Sequence, residues 1–352
     1  MAIDNGMAET LWGIRLQPFA ATADPAFFFP MPSCHECLFR LWETIQGRNG
    51  IAVVLGGYGA GKTTILRKLI ADMEAEPGTY NPAVLESPIP AWSSFDMLSA
   101  ISRLFRLNPA ADTYSGHMEA LHDYLRAHAD QATVLIVDDA QNLTKRGQLE
   151  LLRLAQNIEA PTHKLLNILL FAQLDWLEAL EAAPNFRQRV DMIYTLEPMT
   201  AEETAELIQG RLARAGAHAP DQIFTGAAIR IIHAYAEGSP RLTVNLCRNV
   251  LSAATQLKEP RVDIDLVLYT LDRTAALDPV KRARLDTAAR NLNGGDPETS
   301  GTASGITGRT PSERMRRSEE ARANRLLLRA ARGERGKLRD ARQGESQERE
   351  DA

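Results

Sequence analysis

A chain of 352 residues, 44% hydrophobic and 24% charged, is long enough for two domains with a sizeable core, which excludes a wholly disordered or fibrous protein. Three cysteines cannot build a disulfide framework, the N-terminus lacks the basic and apolar regions of a secretory signal, and no run of about 18 apolar residues offers a membrane span. The formal net charge of −5 is uneven: residues 281–352 hold 17 Lys/Arg against 12 Asp/Glu, so the body is acidic and the tail basic.

In chain order, short apolar blocks bounded by turns or charges read as strands at 51–56 (IAVVLG), 83–87 (AVLES), 133–138 (TVLIVD), 165–172 (LLNILLFA) and 191–197 (DMIYTLE). Between them, helical patterns cover Thr63 to Ala75, Ser94 to Leu107 and Gln148 to Glu159. Strands that alternate with helices predict an α/β fold, a mostly parallel sheet covered on both faces. After Pro198 the strand pattern stops. Thr200 and Glu203 form a capping box for a helix that ends at Gly216, and further helices are predicted over 223–236, 239–257 and 263–276, giving a small all-helical domain. From Pro279 onward, Gly/Ser/Thr enrichment and low hydrophobicity predict a disordered, Arg-rich tail. No internal repeat at 20–50 residues is evident.

GGYGAGKTT follows the first strand and opens a helix, the context in which a phosphate-loop match has meaning. Gly56, Gly61, Lys62 and Thr63 satisfy G-x-x-x-x-G-K-[ST], and Gly57, Gly59 and Thr64 belong to the same cradle. Glycines let backbone N–H groups curl around phosphates, and the helix N-terminus adds a favourable dipole. Lys62 is expected to reach the β/γ-phosphates of ATP and Thr63 to ligate Mg²⁺. In VLIVDDAQNL, Asp138 at a strand end is expected to hold the Mg²⁺, and Asp139 to orient or deprotonate the attacking water.

Other signals are weaker. One C-x-x-C (Cys34, Cys37) cannot close a tetrahedral metal site, and Ser33 with Glu36 reads as a capping box that puts both thiols in a helix's first turn. The aromatic run AFFFP, with Trp12 and Phe19 upstream, is expected to pack over the nucleotide-binding core. The tail carries 15 Arg, a potential DNA contact, but its acidic residues make a self-neutralising linker the preferred reading.

These motifs together carry a family resemblance. A Trp-Gly start, a Pro-Phe, an Asp-Pro-x-Phe and a His precede the phosphate loop, and VDDAQNL, LLFAQLDW, FRQRVDMIYTLEPMTAEETAELIQGRLARAG and EGSPRLTVNLCRNVL follow it. Over residues 11 to about 275 the chain resembles AAA+ ATPases of the general secretion pathway protein A group. The resemblance implies a P-loop α/β domain over 47–198 after an N-terminal extension and first helix (1–46), a helical lid over 199–278, and a tail over 279–352. It makes Gln173 a reader of the γ-phosphate. It makes Arg189, beside Arg187, an arginine finger directed into a neighbouring protomer of a ring or filament, and Arg241 a lid residue that contacts nucleotide. Asp139 departs from the Glu of the family pattern, and the membrane span and cell-wall-binding region of longer members have no counterpart.

Three functions stay open. The leading one is an ATPase that drives assembly of a secretion or pilus-type envelope machine, cytoplasmic and peripheral at the inner membrane. The rivals are a DNA-associated ATPase of the transposition-regulator type and a nucleotide switch with negligible turnover.

Overall fold

In the computed structural model, which describes residues 5–20, 27–29, 31–275 and 277–293, the five apolar blocks become five strands. They are β1 (Ile51–Gly56), β2 (Tyr80–Leu85), β3 (Ala132–Val137), β4 (Leu166–Ala172) and β5 (Val190–Leu196). All pair in parallel, in the order β2-β3-β4-β1-β5. The three central strands are buried at every residue, as expected where helices cover both faces. β2 begins three residues earlier than its apolar block because Pro82, which reads as a breaker, lies on an edge strand where a missing N–H need not break a ladder.

The chain gathers into two compact units. The larger comprises residues 17–215 and 233–245. Its helices are α2 (Pro32–Gln46), α3 (Lys62–Glu74), α4 (Ser94–Leu104), α5 (Tyr114–Ala127), α6 (Arg146–Gln156), α7 (Trp176–Glu181), α8 (Pro184–Arg187) and α9 (Ala201–Arg214). The core is made by the inward faces of the strands with Met97, Leu98, Ile101, Leu121, Leu152 and Phe186 from α4, α5, α6 and α8. The predicted capping box opens α9: Thr200 Oγ1 accepts the Glu203 N–H at 3.2 Å and Glu203 Oε2 accepts the Thr200 N–H at 2.8 Å. The box expected at Ser33 does not form. Pro32 takes the first helical position of α2 with Met31 as N-cap, because its fixed φ and absent N–H suit that place, and Ser33 is left inside the first turn.

The aromatic run is held by α9. Phe27 and Phe28 are buried, the Arg211 guanidinium lies 5.8 Å from the Phe27 ring centre, and Arg214 lies 5.8 Å from that of Phe29.

The smaller unit comprises residues up to 16, 216–232 and 246 onward. It is helical: α1 (Asn5–Trp12), α10 (Pro220–Ile223), α13 (Ile264–Thr274), α14 (Pro279–Asn293) and portions of α11 (Gly226–Ala236) and α12 (Pro240–Leu257). Trp12 belongs here, correcting its assignment to the nucleotide-binding core, and its Nε1–H donates to Pro260 O at 2.7 Å. The tail is corrected as well. Residues 279–293 form α14 and bury Leu285 and Ala289, whose apolar spacing of four is lost among the surrounding Arg and Lys. Residues 294–352, with the rest of the predicted tail, lie outside the described residues. No helix among the described residues is long and apolar enough to cross a membrane.

Candidate functional site

The loop between β1 and α3 is set by its backbone. Gly61 precedes α3 at φ 98°, ψ 8°, and its carbonyl takes the N–H groups of Thr64 (2.9 Å) and Ile65 (3.0 Å). The earlier N–H groups of such a helix have no acceptor inside it and stay available to an anion. A Cβ on Gly57 or Gly61 would meet nothing within 4 Å, so the space before the loop is open.

Lys62 is only 9% exposed. Its Nζ donates to Gly56 O at 2.7 Å and to Gly57 O at 3.0 Å. Burial pushes its pKa down, opposed by the carboxylates of Asp138 and Asp139. Beside it, Thr63 Oγ1 donates to Asp138 Oδ2 at 3.0 Å. Asp138 follows β3, and burial raises its pKa against the bonds from Thr63 and the Asp139 N–H.

Asp139 sits differently. Its φ of 52° and ψ of 43° are left-handed, a region few non-glycine residues enter. Oδ2 accepts from Ser87 Oγ at 2.7 Å and Oδ1 from Gln141 Nε2 at 3.0 Å. The Ser87 bond, ahead of burial that opposes it, holds its carboxyl below the usual range. Sequence reasoning passed over Ser87 and Gln141, although AVLES puts a serine past the end of the strand that pairs with β3, and a parallel neighbour ends at the same edge.

Arg241 is exposed at the start of α12, and its N–H donates to Gly59 O at 3.2 Å. Gln173 lies one residue beyond β4, half-buried, at the same edge of the sheet. Arg189 lies elsewhere. It precedes β5, and Val190 pairs with Ile51 at the start of β1, so Arg189 stands at the opposite edge from the phosphate loop. A seven-residue strand spans roughly 20 Å, beyond the reach of any side chain. Arg187 is engaged by Glu181 at 3.2 Å, while Arg189 is exposed and makes no ion pair among the described residues.

Nucleoside triphosphate and a divalent cation fit these residues. The open glycine loop and buried ammonium suit phosphate, and the Thr63–Asp138 oxygen pair suits a hard cation of the Mg²⁺ kind. No cluster of three or more His, Cys, Asp or Glu with metal-ligand geometry occurs among the described residues. Cys34, Cys37 and Cys247 are buried and form no disulfide, and burial pushes the Cys34 thiol up to about 11.

Comparison with known proteins finds similarity over most of the chain. A family model described as an AAA domain matches residues 45–180. General secretion pathway protein A of Aeromonas hydrophila is 30% identical over 278 residues, covering 75% of this chain and 48% of that protein. The chain thus spans about half the length of the curated relative it matches. Among solved structures, Cdc6p from Pyrobaculum aerophilum aligns with a TM-score of 0.58 at 16% identity, covering 86% of this chain and 89% of that one. The Aeropyrum pernix ORC2 protein in its ADP form aligns at 0.55 with 19% identity, covering 76% and 75%. Both structural likenesses show the fold, a P-loop α/β domain with helices following it.

Proposed function

Taking as premise an AAA+ domain of the general secretion pathway protein A kind, we propose that this chain binds ATP with Mg²⁺ and hydrolyses it slowly, driving oligomeric assembly or remodelling of a secretion or pilus-type envelope machine. The observation that carries the ATPase reading is the Thr63–Asp138 pair beside the buried Lys62, with a second carboxylate, Asp139, fixed by Ser87 and Gln141. The envelope role rests on the likeness to General secretion pathway protein A alone.

In this reading the loop N–H groups of residues 57–64 hold the phosphates and Lys62 neutralises the β/γ oxygens. Thr63 and Asp138 hold Mg²⁺, which when bound offsets charge on the phosphates. Asp139 orients the attacking water and receives its proton, while Gln173 contacts the γ-phosphate. Arg241, at the start of α12, contacts nucleotide at the same site. Arg189 completes the site of a neighbouring subunit, since its own lies across the sheet. The proposed place of action is the cytoplasmic face of the inner membrane.

Asp is shorter than Glu by one carbon–carbon bond, about 1.5 Å. A displacement of about 1 Å can cost on the order of a hundredfold in rate. Asp139→Glu is therefore expected to speed phosphate release, and Asp139→Asn to bind ATP without turning it over. Lys62→Ala is expected to lose ATP binding. Equal steady-state rates for wild type and Asp139→Asn would remove Asp139 as the base and leave a nucleotide switch. Tight duplex DNA binding with a steep salt dependence would replace the envelope role by a DNA-associated one.

A further inference from the structure

The turn that starts α12 meets backbone on two sides. Gly238 O accepts the Met199 N–H at 2.9 Å, in the linker between β5 and α9, and the Arg241 N–H donates to Gly59 O at 3.2 Å in the phosphate loop. Both contacts depend on a missing side chain. A Cβ on Gly59 would lie 2.6 Å from Arg241 Cβ and 3.0 Å from Ser239 Oγ, and one on Gly238 would lie 2.6 Å from Met199 O and 2.7 Å from Pro198 Cβ. Both glycines also have positive φ, 72° and 77°. Gly57 and Gly61, in the same loop as Gly59, face open space instead. Gly59 is therefore constrained by the α12 turn as well as by the curvature of the loop.

We propose that Gly59 and Gly238 are positioning residues, a two-point backbone clamp that seats the start of α12 on the phosphate loop and so aims Arg241 at bound nucleotide. The proposal rests on the reading of Arg241 as a nucleotide-contacting side chain. A long exposed arginine has many rotamers, and what limits its reach is the position of its own Cα. Here that position is tied to the loop through the residue's own N–H. Helix α12 starts at the contact: Ser239 O accepts both the Thr243 N–H and the Thr243 hydroxyl at 3.0 Å, so the turn is stiff where it touches Gly59. A shift of about 1 Å in this seat moves the guanidinium out of register with the phosphate it reads.

The test is a double-mutant cycle in the full chain, with Gly59→Ala, Gly238→Ala, Arg241→Ala and the two doubles. It is read as phosphate release and as dissociation of a fluorescent ATP analogue with Mg²⁺. Each single substitution is expected to lower turnover about ten- to a hundredfold, the worth of one hydrogen bond to a charged group. Each double is expected to fall no lower than the worse of its singles, because the clamp acts through Arg241. Should Gly59→Ala abolish nucleotide binding, the Gly238 cycle decides, since that clash falls on Met199 and spares the loop. Should wild-type phosphate release lie below detection, the dissociation constants carry the same cycle. Doubles whose effects multiply would overturn the clamp while leaving Arg241 as a nucleotide contact. Arg241→Ala at wild-type turnover and affinity would instead overturn the reading of Arg241, and the clamp with it.

Discussion

The two edges of the sheet use their charged residues in opposite ways. At the edge where strands β1, β3 and β4 end, the charged residues are held by bonds within the chain: Lys62 donates to Gly56 O, Thr63 to Asp138 and Ser87 to Asp139. At the edge where the strands begin, two arginines differ in their surroundings. Arg48 makes three contacts: Nη1 reaches Ala129 O at 2.6 Å and His163 Nε2 at 2.6 Å, and Nη2 reaches Asp130 O at 3.0 Å. Arg189 is exposed and has no ion-pair partner among the described residues. Arg48 is thus tied into the fold through backbone carbonyls, whereas Arg189 is exposed at the rim.

The sharpest way to break that comparison is Arg189→Ala. If the rim arginine serves a second subunit, turnover should fall by roughly 10³ to 10⁵, with nucleotide affinity nearly intact. Mixing Arg189→Ala with Lys62→Ala should restore part of the activity, because each protein supplies what the other lacks, and wild-type specific activity should rise with concentration. A monomer whose activity ignores concentration would end the idea.

A smaller effect is expected at the other edge from Ser87→Ala. Ser87 is the leading cause of Asp139's lowered pKa, so its loss should raise that pKa and move the acid limb of the pH–rate profile to higher pH. The stability arithmetic has the same sign. A carboxyl depressed in the fold contributes stability above its ordinary value of 3.8, lost as pH falls through the folded pKa, and the variant should surrender part of it. An unmoved acid limb would show that Asp139 does not set it.

Arg48→Ala tests the arginine tied into the fold. Losing these bonds at the strand-start edge should cost about 1–3 kcal/mol in urea unfolding while leaving nucleotide affinity unchanged. Loss of turnover without loss of stability would reverse the division between the two arginines.

The smallest expected change in stability is from Asp138→Asn. Burial raises the Asp138 pKa above 3.8, so its ionised form costs stability at neutral pH, a cost that disappears as pH falls below the folded pKa. The neutral amide should therefore raise the melting temperature of the nucleotide-free protein by on the order of a degree, while abolishing Mg²⁺-dependent binding. A lower melting temperature would mean that the Thr63 bond outweighs the burial cost.

Local chemistry carried much of this into the sequence. The three central strand blocks are legible because buried parallel strands need continuous apolar runs, and the Thr200 box because a helix start must satisfy its own N–H groups. Ser33 misled for the same reason: Ser33 and Glu36 have capping-box spacing, but Pro32 takes the first helical position and makes Met31 the N-cap. Helix α14 was hidden because two buried residues, Leu285 and Ala289, sit among cations that match a solvated tail.

The sequence by itself determined the phosphate loop and the acidic strand end, because glycines, a lysine and a threonine at fixed spacing must curl around an anion wherever a strand meets a helix. Only the tertiary structure decided what surrounds them. Ser87 reaches Asp139 across 52 positions of sequence, and Arg241 reaches Gly59 across 182, because parallel pairing and the return of the chain after α9 bring distant backbone to one edge. It also decided that Arg189 cannot serve its own site. Strand direction is a property of the sheet, and it sends the end of β1 and the start of β5 to opposite sides.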